Sequence, residues 1–302
     1  MTNSMQKIIL YYKFVSISDP IAVRLWQRTL CEKLNLKGRI ILSKHGINGT
    51  LGGDLADLKT YIKETKSHDA FKGTAFKWSA GGREYFPKLS VKVRNEIVTF
   101  GAADEVKVDE HGIVGGGKHV TPDQVHQLVA ERGKDVIFFD GRNAYEAAVG
   151  KFKGAVVPKV NHTRDFVKEL EDPKYDSLKD KPVITYCTGG IRCEVLSMLM
   201  KNRGFTEVYQ MDGGIANYGE TYADDGLWEG SLYVFDGRMG HKFSDEAKDI
   251  GACVHCQSAT SNYENCANKT CNCLMLTCAD CTNKQYCVEC LSVQKLKTIT
   301  SA

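Results

Sequence analysis

Of the twelve cysteines in this 302-residue chain, one sits where strand, glycines and arginine converge: Tyr186-Cys187-Thr188-Gly189-Gly190-Ile191-Arg192-Cys193-Glu194. The run Pro182 to Tyr186 reads as a buried strand and the residues after Gly190 as a helix, so Cys187 stands where open α/β sheets place reactive groups. The loop Thr188, Gly189, Gly190, Ile191 lets successive backbone N–H groups curl toward the sulfur, and the helix that follows adds its positive end. Arg192 adds a fixed cation. All three favour thiolate over thiol, so the Cys187 pKa is expected below the free value of about 8.5. A cysteine that merely packs at a strand end needs neither two glycines nor an arginine, and the nucleophilic reading is preferred. Cys193 is open to two readings, a resolving thiol or a small apolar residue packed beneath the loop, and packing is favoured.

A second concentration of thiols lies between Cys253 and Cys290, where nine cysteines occur: Cys253, Cys256, Cys266, Cys271, Cys273, Cys278, Cys281, Cys287 and Cys290. In a reducing compartment such crowding points to metal more than to disulfides. Cys-x2-Cys spacing lets two thiolates of one turn grip one ion, and eight thiolates fill two tetrahedral zinc sites. With nine thiols and His255 as a further candidate for eight places, the pairing stays open and leaves at least one cysteine over. Four protein ligands leave no position for a substrate, so a structural role is expected.

The elements that must position these groups follow from local pattern. Ile8 to Val15 is a β-branched and aromatic run, and Asp19-Pro20 starts a helix through about Leu34. Arg39 to Ser43 reads as a strand, Lys44 to Gly49 as a polar loop, Asp54 to Lys66 as a helix, and Phe76 to Ser79 and Leu89 to Arg94 as strands, with a weak strand near Thr50. Apart from one further strand at its end, that is the βαββαβ order that suits a ferredoxin-like, acylphosphatase-like α+β sandwich over residues 1–100, with one sheet face left free to bind something. Residues 101–120 are polar and glycine-rich and read as a linker. From 121 to 228 strands alternate with helices: a helix from Thr121, a strand over Val136 to Asp140, a helix over Arg192 to Asn202, a strand over Val208 to Met211 and a short helix over Ile215 to Tyr222. This is the pattern of an α/β domain with a parallel sheet. Residues 229–302 form the Cys-rich, metal-binding tail, too poor in large apolar residues for a core of its own.

Composition narrows the class of function. Hydrophobic residues make up 42% and charged residues 25%, ordinary for a globular chain. No apolar run reaches the roughly 18 residues needed to span a bilayer, and Met1 to Lys7 lacks the features of a signal peptide, so a cytoplasmic protein without a membrane partner is expected. The net charge of +3 hides an asymmetry, because residues 1–95 carry 17 Lys+Arg against 7 Asp+Glu. A domain that basic tends to attract polyanions, of which nucleic acid is the commonest in a cytoplasm, and a soluble domain that is merely basic is the alternative of equal weight. The oligomeric state is not legible.

From about Thr121 to Tyr222 the chain resembles a rhodanese domain. Cys187-x4-Arg192 matches the active loop of that superfamily, Asp140-Gly141-Arg142-Asn143-Ala144-Tyr145-Glu146 its Asp-x-Arg-x-x-x-Glu segment, and Lys153-Gly154-Ala155 a turn it often carries. Cysteine phosphatases place five residues between Cys and Arg, and the four here argue against them. The wider combination is similar to the bacterial tRNA uridine(34) hydroxylases (TrhO). It comprises Ser43-Lys44-His45-Gly46-Ile47-Asn48-Gly49-Thr50 in a basic first domain, the Cys187 loop, Met211-Asp212-Gly213-Gly214-Ile215, and Asn265-Cys266-Ala267-Asn268 in a Cys-rich end. The resemblance implies hydroxylation of the wobble uridine of tRNA at carbon 5, with molecular oxygen as co-substrate, the anticodon loop as partner and Cys187 as essential residue. Lys44, His45 and Asn48 are either candidate RNA contacts or part of a plain turn, with neither reading preferred, and Arg142 either reaches substrate or salt-bridges within its domain, the latter being favoured. No flavin or haem motif and no two-His-one-carboxylate set is visible, so oxygen activation has no reading from the residues. Two alternatives use the same features: a sulfurtransferase carrying persulfide on Cys187, and a non-catalytic, zinc-stabilised RNA-binding protein.

Overall fold

The computed structural model describes residues 5–235 and 239–293; part of the Met1 to Lys7 stretch and the end of the Cys-rich tail lie outside the described residues. The chain opens with β1 (Gln6–Phe14), α1 (Pro20–Lys33), β2 (Lys37–Ser43), β3 (Gly46–Asp54), α2 (Leu55–Ser67), β4 (Phe76–Ser79) and β5 (Leu89–Val93). Helix α1 starts where the sequence signals it: the Asp19 carboxylate accepts from the N–H groups of Ile21 and Ala22 at 3.0 and 2.9 Å, with Pro20 in the first turn. The sheet order is β4-β1-β3-β2-β5, antiparallel except for the β2–β5 pair. Both helices cover one face, where Ile9, Tyr11, Ile40, Leu42 and Leu51 pack with Val23, Leu58 and Tyr61.

Two expectations for this domain need correction. Lys44 to Gly49 is not a loop: β2 and β3 form a tight hairpin in which Ser43 pairs with Gly46, leaving only Lys44 and His45 to turn. The weak strand near Thr50 is a nine-residue strand at the centre of the sheet, paired on both sides. Its glycine-rich composition hides it, because glycine has low strand propensity unless another backbone must come close. At Gly46 one does: a Cβ would lie 2.1 Å from the Lys13 carbonyl oxygen, and φ is +143°. The second correction concerns the sheet face opposite the helices, which is not free. Tyr12 and Phe14, alternating with Tyr11 on β1, turn toward the central domain, and Phe14 is buried in one core with Phe139, Val183, Val195 and Leu196.

Between the two domains β6 (Val108–Asp109) and β7 (Gly112–Ile113) make a short hairpin, while β8 (Lys118–Val120), placed in the linker by sequence, is the edge strand of the next sheet. There follow α3 (Pro122–Arg132), β9 (Ile137–Asp140), α4 (Ala144–Ala147), β10 (Gly150–Phe152), α5 (Phe166–Glu169), β11 (Pro182–Tyr186), α6 (Ile191–Asn202), β12 (Glu207–Met211) and α7 (Gly214–Tyr222). The sheet β8-β12-β11-β9 is parallel throughout, as the alternation of strands and helices implies. Every residue of β11 is buried, so the strand that delivers Cys187 is clamped on both faces.

The tail contributes β13 (Trp228–Gly230), paired antiparallel to β10, and the short pairs β14 (Leu232–Tyr233) with β15 (Gly240–His241) and β16 (Tyr263–Asn265) with β17 (Leu274–Leu276). It leans on the central domain: Tyr233, Tyr263 and Leu276 cluster with Val149, and the Tyr263 hydroxyl donates to the Tyr145 carbonyl at 2.6 Å. Among the described residues no helix is long and apolar enough to cross a membrane.

Candidate active site

Cys187 follows β11 directly and has no solvent-exposed surface. The Gly190 N–H donates to its sulfur at 3.2 Å, and Gly190 holds φ +100°, a conformation only glycine adopts without strain, immediately before α6. Burial pushes the Cys187 thiol up. The Cys193 thiol, the Arg192 guanidinium and the backbone N–H groups of Cys193 and Arg192 more than offset it and bring the pKa down to about 5. Cys193 is itself fully buried beneath the loop, and burial together with the neighbouring Cys187 sulfur holds its own thiol well above the usual range. The pair is therefore one anion and one donor. Gly189 borders open space, so the loop meets solvent on that side.

Arg192 is held rigidly. Its two terminal nitrogens donate to the two carboxylate oxygens of buried Glu146 at 2.6 and 2.8 Å, and Nη2 also donates to the Thr188 hydroxyl at 3.2 Å. Glu146 in turn accepts from the Asn143 N–H at 3.1 Å. Its role was missed at the level of sequence, although it lies in the Asp140 to Glu146 segment. Ile191 packs into the core beneath α6. Arg142, expected either to reach substrate or to pair internally, does the second. It is wholly buried, donates to both oxygens of Asp140 at 2.9 and 2.6 Å and to the Glu146 and Gly150 carbonyls, and lies against the Tyr186 and Trp228 rings. It has no access to a substrate.

The candidate RNA contacts of the first domain do not come together on a surface. Lys44 is exposed, but His45 is buried at the interdomain seam near Glu96 and Val195, and Asn48 spends its amide on the Ile97 carbonyl at 3.0 Å. What the first domain does bring to the loop lay outside the sequence reading. Lys77 Nζ donates to the carbonyls of Gly189 and Gly213, at 3.2 and 2.6 Å, and the Tyr12 hydroxyl donates to Glu194 at 3.1 Å. From the tail, the exposed ring of Phe235 lies over the Arg192 guanidinium at 5.7 Å.

The tail thiols separate into two sets. The sulfurs of Cys253, Cys256, Cys278 and Cys281 all lie within 4.8 Å of one another, as do those of Cys266, Cys271, Cys273 and Cys287. Four thiolates around zinc, each about 2.3 Å from the ion, require separations of this size, so both sets fit a metal ion. Cys290 is the thiol outside both sets, its sulfur accepting from the Asn268 amide at 3.2 Å, and His255 is in neither.

Three family models and several relatives match most of the chain. The UPF0176 acylphosphatase like domain matches residues 6–97, the Rhodanese-like domain residues 121–221 and the Rhodanase C-terminal family residues 229–293. A relative from Corynebacterium efficiens named tRNA uridine(34) hydroxylase is 62% identical over 92% of this chain and 89% of its own. The chain belongs to the tRNA uridine(34) hydroxylase family. Members from an Arthrobacter species and from Corynebacterium glutamicum, bearing the same name, are 61% and 63% identical, over 95% and 91% of this chain and 98% and 88% of their own. This member joins an acylphosphatase-like domain and a rhodanese domain to a Cys-rich end, and the relatives' name is that of a tRNA-modifying enzyme.

Proposed function

We propose that this chain hydroxylates carbon 5 of the wobble uridine of tRNA in the cytoplasm, with Cys187 as nucleophile and dioxygen as the source of the oxygen atom. The observation that carries the reading is the Cys187 sulfur at the end of β11, which accepts the Gly190 N–H and has its thiol pKa lowered by the Cys193 thiol and the Arg192 guanidinium, in a chain more than 60% identical to proteins named tRNA uridine(34) hydroxylase. In the reaction the thiolate adds to carbon 6 of the uracil, and the displaced electron pair moves to carbon 5 and the carbonyl beyond it. Carbon 5, now electron-rich, takes up dioxygen. Two electrons from an external reductant such as a thiol, with three protons, leave one oxygen on carbon 5 as hydroxyl and release the other as water; one of the three protons is returned in the last step. Loss of the proton on carbon 5 expels the sulfur and restores the double bond.

Arg192 serves as the fixed countercharge of the sulfur, and the Glu146 carboxylate holds it in place. The basic first domain supplies the long-range attraction for tRNA phosphates. Zinc in the two thiolate sets would tie the tail to itself as a structural element; it supplies no chemistry at Cys187.

The test is turnover of unmodified tRNA under oxygen-18 gas with a thiol reductant. 5-Hydroxyuridine heavier by one isotopic substitution is expected. Unlabelled product would rule out dioxygen as donor, and sulfur transfer from thiosulfate to cyanide without any hydroxylated uridine would favour the sulfurtransferase.

A further inference from the structure

Lys77 sits on β4, the edge strand of the first sheet, yet its ammonium reaches the candidate active loop of the second domain. It donates to the Gly189 carbonyl inside the loop and to the Gly213 carbonyl at the head of α7. Those two stretches of backbone are themselves stitched together, because the N–H groups of Ile215 and Ala216 donate to the carbonyls of Cys187 and Thr188 at 2.9 and 3.1 Å. One side chain thus fastens both walls of the loop from outside the domain. The contact is close over a wider area: the Tyr12 hydroxyl donates to Glu194, two residues beyond Arg192, and a Cβ at Gly190 would lie 3.0 Å from that hydroxyl.

The charge of Lys77 needs an explanation that packing does not provide. A half-buried ammonium is costly unless an anion compensates it, and among the described residues no carboxylate lies within ion-pair distance of Lys77. Burial lowers its pKa. The Cys187 thiolate heads the charges that oppose this, ahead of Asp212 and Glu220. The charged and titratable groups that interact electrostatically with Cys187 include Arg192 and Cys193 from α6, Tyr12 from β1 and Lys77 from β4.

We infer that Lys77 is a positioning residue for Cys187: from the first domain it fixes the backbone of the loop and supplies the second cation facing the sulfur. The rhodanese-type nucleophile of this chain is fully set only when the acylphosphatase-like domain is docked on it. The inference extends the proposed function but does not need tRNA to be tested.

The experiment is the pH dependence of Cys187 alkylation by iodoacetamide in the full-length protein, followed by tryptic mass spectrometry. Cleavage after Arg192 puts Cys187 and Cys193 on separate peptides. Relative to wild type, Lys77→Met should raise the midpoint of the alkylation curve by about one pH unit, and Lys77→Arg should restore at least half of the shift. A matching tRNA assay should show kcat for Lys77→Met at least tenfold lower with little change in KM. An unchanged midpoint overturns the inference, as does a rise in KM alone, which would make Lys77 an RNA contact. A midpoint shift that arginine does not restore also overturns it, because the effect would then be one of packing. Should wild type fail to hydroxylate tRNA, the proposed function fails and the alkylation curves still decide the role of Lys77.

Discussion

A thiolate sealed inside a protein persists only where donors and cations replace the water it has lost. At Cys187 those are the Gly190 N–H, the Cys193 thiol, the N–H groups at the start of α6 and Arg192. The sign of the pH effect follows. The folded pKa lies below the unfolded value of about 8.5, so the stability this group contributes is complete above that value and is lost as pH falls through about 5. Wild-type alkylation of Cys187 is therefore expected to be flat between pH 8 and 6 and to halve near pH 5; a midpoint near 8.5 would contradict the site as described. Glu146 is the residue on which Arg192 depends. Replacing it with Gln removes the carboxylate from a buried bidentate pair, and the uncompensated guanidinium should cost about 3 kcal/mol of stability. Guanidinium chloride unfolding of Glu146→Gln measures that. A midpoint equal to wild type would show that Arg192 finds its compensation elsewhere.

At the scale of elements, legibility depended on whether the determinants were contiguous. Strand β11, the Gly189-Gly190 turn and α6 form one unbroken run of sequence, so the strand, the loop and the cysteine were all readable. Strand β3 was not, because Gly46 and Gly52 let neighbouring backbone come close while Gly49 and Gly53 make room for the Tyr11 and Leu36 side chains, and such neighbours cannot be seen in the strand itself. The same blindness turned His45 and Asn48 into surface candidates when one is buried and the other holds the Ile97 carbonyl. Gly46→Ala tests this account of β3. The added Cβ meets the Lys13 carbonyl and forces a positive φ on an L residue, so a loss of about 3 kcal/mol is expected by denaturant unfolding. A loss under about 0.5 kcal/mol would mean that the hairpin relaxes freely.

At the scale of the whole molecule, the three regions converge on one loop: β11 and α6 deliver Cys187 and Arg192, β4 delivers Lys77, and the tail lays Phe235 over Arg192. Lys77 and Tyr12 were invisible in the sequence because they reach the site through domain docking, with no motif at either end to announce it. The tail shows the same division. Its Cys-x2-Cys pairs were plain from spacing, but which pairs share a site depends on the three-dimensional fold, which brings Cys253 and Cys256 to Cys278 and Cys281. If each set holds one zinc, metal analysis of the purified chain should find two equivalents and the Cys253→Ser variant one. Two equivalents in that variant would refute the assignment of Cys253 to a site.

The central claim is that Cys187 carries out hydroxylation of the wobble uridine. Nucleoside mass spectrometry of total tRNA, from a host lacking any such enzyme and supplied with either wild type or Cys187→Ala, tests it most directly. The account predicts 5-hydroxyuridine or its derivatives with wild type and none with the variant. The same nucleoside from both proteins, or from neither, would contradict it.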